Sequence, residues 1–248
     1  MDDVRLDGHD AAALAERLGV PECALFDRVG STMDLAHAAA QRGAGAGTLI
    51  LADSQDAGRG RSGNRWASET GHGLWMTLIE RPLTARGLDV LSLRLGLYAA
   101  EALDGVSNER VRLKWPNDLY AGAGKLGGIL VEARWRDQRV EWVAIGFGLN
   151  VVAPGNVASA AGLAPGTARL TVLEQVMPAL RAAAAVEGPL TDEELARYAA
   201  RDFTTGRRIV QPAAGVVVGI SAAGELVVDT DAGRVACRTG SLVFEEVA

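Results

Sequence analysis

Apolar and polar positions alternate along the chain in two rhythms, one near 3.6 residues and one near 2, and the switches between them mark the elements. Asp10 to Gly19 reads as a short amphipathic helix closed by glycine, and Ala24 to Val29 as a strand. Ser31 and Thr32 open a helix to about Arg42; their hydroxyls are suited to capping, and Asp34 falls in the first turn, where the helix dipole favours it. Thr48 to Ala52 is an apolar strand, Asp53 to about His72 a long loop, and Gly73 to Glu80 the next strand. Leu88 to Leu103 has helical spacing. Val111 to Trp115 predicts a strand running into a Pro116-Asn117-Asp118 turn. Lys125 to Trp135 and Arg139 to Val152 predict paired strands around Arg136-Asp137-Gln138. Thr171 to Val186 and Thr191 to Arg201 read as helices, with Pro178 a point for a kink in the first.

From Phe203 the texture changes. Short runs at Arg207 to Gln211, Val216 to Ile220, Glu225 to Thr230, Arg234 to Arg238 and Leu242 to Phe244 alternate with turn signals, which suggests a small β-barrel. The expected division is therefore residues 1–202 and 203–248, an α+β chain with two units.

Composition narrows the function classes. With 248 residues, 48% hydrophobic and 23% charged, the chain has the makeup of a globular protein with a full core. A net charge of −6 argues against general nucleic-acid or anionic-membrane binding, though not against a local basic site. Two distant cysteines, Cys23 and Cys237, and three scattered histidines make a zinc site unexpected. The polar start Met1-Asp2-Asp3-Val4-Arg5 and the lack of a long apolar run predict neither a signal peptide nor a membrane span; a cytoplasmic protein is expected.

Three segments hold candidate chemistry. In the loop Ser54 to Ser68, glycines at 58, 60 and 63 alternate with Arg59, Arg61 and Arg65. Glycine lets backbone approach a ligand, and guanidinium forks match phosphate or carboxylate oxygens, so the loop reads as an anion clamp that Trp66 can cover by stacking. A solvated surface loop explains the composition equally well. The literal GxGxxG match does not indicate a dinucleotide fold, because a strand and not a helix follows. The second segment is Lys114-Trp115-Pro116-Asn117-Asp118 followed by Lys125-Leu126-Gly127-Gly128-Ile129-Leu130, where Lys125 could neutralise phosphate charge; a plain hairpin with solvated lysines is the alternative, and no Walker A pattern fits. The third is Gly146-Phe147-Gly148-Leu149-Asn150, whose glycines imply a close approach by ligand or by packing.

Taken together, these segments resemble the catalytic module of biotin–protein ligases. Ser31-Thr32 is similar to that family's Ser-Thr-Asn segment, Ser54 to Arg61 to its glycine–arginine adenylate loop, and Lys114 to Asp118 to its Lys-Trp-Pro-Asn-Asp motif. Lys125 to Leu130 and Gly146 to Asn150 are similar to its two following strands, and Phe203 to Ala248 is placed like its SH3-like domain. Met33 stands where Asn is usual, Ser62 and Asn64 where basic residues are frequent, and Gly127 where Ala is common.

The resemblance implies a mixed sheet with helices, like class II aminoacyl-tRNA synthetases, followed by a small SH3-like barrel. It implies an ATP-dependent ligase that activates biotin as biotinyl-5′-AMP and transfers it to a lysine of a biotin carboxyl carrier protein, typically that of acetyl-CoA carboxylase. Arg59, Arg61 and Lys125 would be catalytic. Biotin would be held by Ser31, Thr32, Gln55, Arg59, Gly60, Arg61, Lys125 and Gly128, and the adenylate by Arg61, Trp66, Asn117, Asp118, Lys125 and Asn150. Mg2+ is expected with ATP, its protein ligands unassigned. The short segment before the first strand leaves no room for a DNA-binding domain, so no repressor role is expected. A homodimer is left open, since sheet edges in such a fold can pair although no self-complementary patch is legible. The alternatives are a lipoate–protein ligase, or a non-catalytic biotin- or adenylate-binding protein.

Overall fold

A computed structural model describes residues 4–155, 157 and 159–245. The acidic start at Met1-Asp2-Asp3 and the tail acid Glu246 lie outside the described residues. The chain begins with α1 (Ala11–Leu18), capped by the Asp10 carboxylate on the Ala13 N–H and closed by Gly19 in the left-handed region. It continues through β1 (Cys23–Val29), α2 (Thr32–Gln41), β2 (Thr48–Gln55), β3 (Gly73–Glu80) and α3 (Leu91–Leu103). Four strands follow: β4 (Arg112–Lys114), β5 (Asp118–Ala121), β6 (Gly124–Arg136) and β7 (Arg139–Asn150). Then come α4 (Arg169–Ala184), which runs through Pro178, and α5 (Asp192–Ala199). The last strands are β8 (Arg208–Gln211), β9 (Gly215–Ile220), β10 (Leu226–Thr230), β11 (Gly233–Cys237) and β12 (Val243–Phe244).

The first seven strands form one mixed sheet, ordered β1-β2-β3-β7-β6-β5-β4, with β1–β2 parallel and every other pair antiparallel. The last five form an antiparallel sheet, ordered β11-β10-β9-β8-β12. The mixed sheet with helices and the small C-terminal sheet are those expected of the sequence. Four local readings change, the first being that β2 runs on through Asp53, Ser54 and Gln55, which read as the start of the long loop. Asp118 begins β5 instead of closing a turn, because the Trp115–Asn117 turn is tight enough to put Asp118 opposite Lys114. Leu88–Val90 is a 3₁₀ turn before α3. The Ser31 hydroxyl makes no capping bond; the Gln55 side chain reaches across and its Oε1 accepts from the Thr32 N–H at 2.9 Å.

The period-two rule of strands divides the large sheet's faces. Leu49, Leu51, Leu74, Leu78, Ile145 and Leu149 are fully buried in the main core beneath α3 and α4. On the opposite face, Ile50, Ile79 and Trp142 pack under Ala36 and Ala40 of α2. That second face also carries Gly128 of β6 and Gly146 and Gly148 of β7, where side chains are missing. The β6–β7 ladder turns at Asp137 and Gln138, both in the left-handed region as a tight two-residue hairpin demands.

The two sheets are joined closely. Trp115 Nε1 donates to the Gly224 carbonyl at 3.0 Å, and Ile209, Val217, Leu226 and Val228 belong to the main core. The outer edge of β4 is covered, since Leu113 exchanges backbone bonds with Arg201 and Phe203. Arg94 of α3, with its side chain fully buried, meets the Glu194 carboxylate at 2.6 Å and the carbonyls of Val186, Gly188 and Pro189. Burial pushes the Glu194 carboxyl up, but its bonds with Arg94 and Thr191 outweigh that and hold it below the usual range. Glu194→Ala leaves a buried guanidinium without its carboxylate and should cost about 3–5 kcal/mol in urea unfolding. The stabilising pair is fully formed above the ordinary glutamate value of 4.5, so its contribution should disappear as pH falls from there, a loss that Glu194→Gln should remove from the acid-unfolding curve.

Candidate functional site

Strand register assembles the site. Lys114 faces Asp118, Asp118 faces Gly128, and Gly128 faces Gly148, so residues from three separate motifs lie in one row across four strands. A cavity of about 260 Å³ opens over this row, slightly below the usual range for ligand pockets. It is walled by the start of α2, the glycine–arginine loop, β3, the strands of the row and, from the second sheet's side, Gly240, Ser241 and Leu242.

The glycines of the row are needed for space. A Cβ at Gly148 would lie 2.8 Å from Trp66 Cε2, one at Gly128 would lie 3.3 Å from Trp66 Cζ3, and one at Gly146 would meet Met33 Cε at 2.7 Å. Trp66 therefore rests on bare backbone. Its Nε1 is buried and has no hydrogen-bond partner, a donor free for a ligand acceptor. The Lys125 ammonium lies 5.2 Å from the Trp66 ring centroid and 2.7 Å from Asp118 Oδ1.

One end of the cavity is a neutral hydrogen-bond network. Thr77 Oγ1 donates to Thr32 Oγ1 at 2.9 Å, Thr32 Oγ1 donates to Gln55 Oε1 at 3.2 Å, and Gln55 Nε2 donates to Ser68 Oγ at 2.9 Å. Ser31 and Thr32 are buried beside it. Apolar side chains of Met33, Met76, Ile129, Leu130 and Phe147 also line the cavity, and its charged groups are Arg59, Arg61, Arg65, Lys114 and Lys125 with the single carboxylate Asp118. Burial lowers the Arg61 pKa from its ordinary value, opposed by Asp118, and lowers that of Lys114 for the same reason. Partial desolvation strengthens the attraction of both for an anion. Asn117 is spanned: its Nδ2 donates to the Ile129 carbonyl at 2.8 Å, and its Oδ1 accepts from Arg61 Nη1 at 3.4 Å.

Of the site residues expected from sequence, Ser31, Thr32, Gln55, Arg59, Gly60, Arg61, Trp66, Asn117, Asp118, Lys125 and Gly128 all line this cavity. Asn150 does not. It shares the face of Gly148 but sits at the strand's end, and its Nδ2 donates to the Lys125 carbonyl at 3.3 Å, so it fixes the lysine's backbone. Sequence reading missed Thr77, a lone polar residue inside the apolar run Gly73 to Glu80. It also missed Lys114, quoted within a motif but given no role, and the Gly240–Leu242 wall, for which no local signal exists.

Fold and cavity define a class. The structure superposes on the biotin protein ligase of Aquifex aeolicus in complex with biotin and ATP with a TM-score of 0.76, covering 92% of this chain and 100% of that one; at 24% identity this likeness is one of fold. The chain belongs to the biotin/lipoate A/B protein ligase family, whose sequence profile matches residues 25–150. It is 31% identical over 216 residues to a biotin–[acetyl-CoA-carboxylase] ligase of Mycobacterium tuberculosis, 79% of each chain. Against the bifunctional ligase/repressor of Bacillus spizizenii it is 38% identical over 126 residues, and this stretch is 50% of this chain but only 39% of that relative, so the chain spans about two-fifths of the relative's length.

Gly148→Ala should displace Trp66, because the backbone row cannot retreat from the added methyl. The expected outcome is a changed near-ultraviolet circular dichroism spectrum with about 1–3 kcal/mol lost in stability. An unchanged spectrum would mean that Trp66 does not rest on this strand.

Proposed function

We propose that this chain is an ATP-dependent biotin–protein ligase that makes biotinyl-5′-AMP and transfers the biotinyl group to a lysine of a carrier domain, as the names of its relatives suggest. The observation that carries the reading is the two-ended cavity: a neutral network at Thr32, Thr77 and Gln55 meets a cationic end at Arg61, Lys114 and Lys125. A ligand with a polar neutral head, an apolar middle and an anionic activated end matches that order.

In the first step the biotin carboxylate attacks the α-phosphorus of ATP, and the bond to pyrophosphate breaks. Lys125 and Arg61, which line the cavity, would receive the charge that builds on the phosphate oxygens. Trp66, on its glycine bed, would cover the adenylate and exclude water from the mixed anhydride. In the second step a neutral carrier lysine amine attacks the acyl carbon, AMP departs with the acyl–oxygen bonding pair, and the amine proton passes to solvent. Asp118, beside Lys125, holds the ammonium in place throughout.

Among the described residues no cluster of three or more metal-binding side chains occurs. Asp118, the single carboxylate of the lining, whose Oδ1 meets Lys125, would offer its other oxygen to a magnesium ion that takes its remaining ligands from water and triphosphate. Such an ion would draw charge from the phosphate oxygens.

We assign catalysis to residues 1–202 and a supporting role to residues 203–248, whose Gly240–Leu242 segment completes the cavity wall. Among the described residues no helix is long and apolar enough to cross a membrane, and Cys23 and Cys237 are unpaired, which supports a cytoplasmic enzyme. Its protein partner is a biotin carboxyl carrier domain, that of acetyl-CoA carboxylase first; the net charge of −6 supports no nucleic-acid partner.

Incubation with biotin, ATP and a carrier domain should add one biotinyl mass at a single lysine; a lipoyl gain in competition would transfer the reading to lipoate, and no AMP at all would leave a binding protein. Lys125→Ala should lower single-turnover adenylation about 10²–10³-fold, the usual cost of one transition-state donor. Arg61→Gly should raise the free acyl-adenylate released per turnover, and release equal to the parent would remove Arg61 from the clamp.

A further inference from the structure

Arg59 lines the cavity, yet its guanidinium is turned to the back of the loop. Its Nη2 lies 3.0 Å from Asp34 Oδ1 and 3.2 Å from Glu132 Oε2. Both carboxylates border the loop's outer side and neither lines the cavity. Asp34 stands in the first turn of α2, and Glu132 on β6 lies on the same face as Gly128, two residues beyond Leu130.

Glu132 is already oriented by other contacts. His37, one turn after Asp34 on α2, meets Glu132 Oε2 through Nε2 at 2.8 Å. The His37 Nδ1 accepts from Trp142 Nε1 of β7 at 3.0 Å, so in neutral His37 the proton sits on Nε2 and points at the carboxylate. A helix and two strands thus fix an acceptor that faces the loop. The loop itself is a small closed unit: Trp66 N donates to the Gly58 carbonyl at 2.9 Å and Gly60 N to the Asn64 carbonyl at 2.8 Å. A tether at Arg59 therefore moves the whole unit, Trp66 included.

We propose that Glu132 and Asp34 form a two-carboxylate latch on Arg59 that holds the glycine–arginine loop closed over the cavity, making Glu132 a positioning residue for retention of the activated intermediate. The latch rests on geometry alone; the retention half rests on the ligase reading above.

The test is hydrogen exchange, at the backbone amides and at the Trp66 indole N–H, in the substrate-free protein. Glu132→Gln keeps an acceptor for His37 while removing the charge, and Asp34→Asn leaves His37 untouched. Each, like Arg59→Gln, should speed exchange of the Trp66 indole N–H, buried without a partner where the loop meets the sheet, about two- to fivefold, as expected for ion pairs of this exposure. The Glu132→Gln/Arg59→Gln double variant should show no further gain. Unchanged loop exchange, additive effects in the double variant, or a rise that extends to the β3 and β7 amides would each overturn the latch. With biotin and ATP, Glu132→Gln should also raise free acyl-adenylate relative to adenylate formed; an open loop without added release would overturn the retention half. Should the parent form no acyl-adenylate while loop exchange still responds, the ligase reading fails and the latch stands.

Discussion

The close approach of Trp66 to the backbone of β6 and β7 is the contact on which the site depends. It exists because Gly128 and Gly148 face each other across a ladder that neither twists away nor fills. With any side chain there, the indole would stand off the sheet and the loop carrying it would lose its seat. The same bare patch leaves depth for a ligand, bounded on one side by Lys125 and on the other by Met33. The α3 side of the same strands is packed with large apolar side chains, which keeps the glycine positions from relaxing into the core.

Electrostatics follows from that geometry. Although the chain carries a net charge of −6, the cavity lining sets Arg61, Arg65, Lys114 and Lys125 against the carboxylate of Asp118, so an anion is attracted there. Within it, Asp118 balances Lys125 and acts on Arg61 from a distance, while the direct hydrogen-bond partner of Arg61 is the neutral oxygen of Asn117. Arg59, although part of the same sequence motif as Arg61, meets two carboxylates, so neighbouring arginines of one loop have different electrostatic surroundings.

Much of this was legible in the chain. The element order follows from periodicity and punctuation, and the paired strands at Gly124–Arg136 and Arg139–Asn150 were readable because a two-residue turn leaves little choice of register. The motif residues converge because strand register is set by turns that are themselves local. What was not legible is long-range or depends on orientation. β5 was hidden by its shortness and by the run Ala121-Gly122-Ala123-Gly124 at its end, which resembles a loop. Arg59 and Arg61 look equivalent until Asp34 and Glu132, from distant elements, distinguish them. Asn150 carries a motif's polar group but spends it on a backbone carbonyl, a choice that only the strand's end position determines.

The wall contributed by Gly240, Ser241 and Leu242 has a consequence for how such a chain can change over generations. Because the small sheet shares the main core and supplies part of the cavity, it is not an appendage that recombination could exchange as a cassette. Any replacement must reproduce a surface that meets Trp115 and closes the same opening. The two halves are therefore bound to drift together, with insertions tolerated in the exposed turns between the last strands and resisted at the junction.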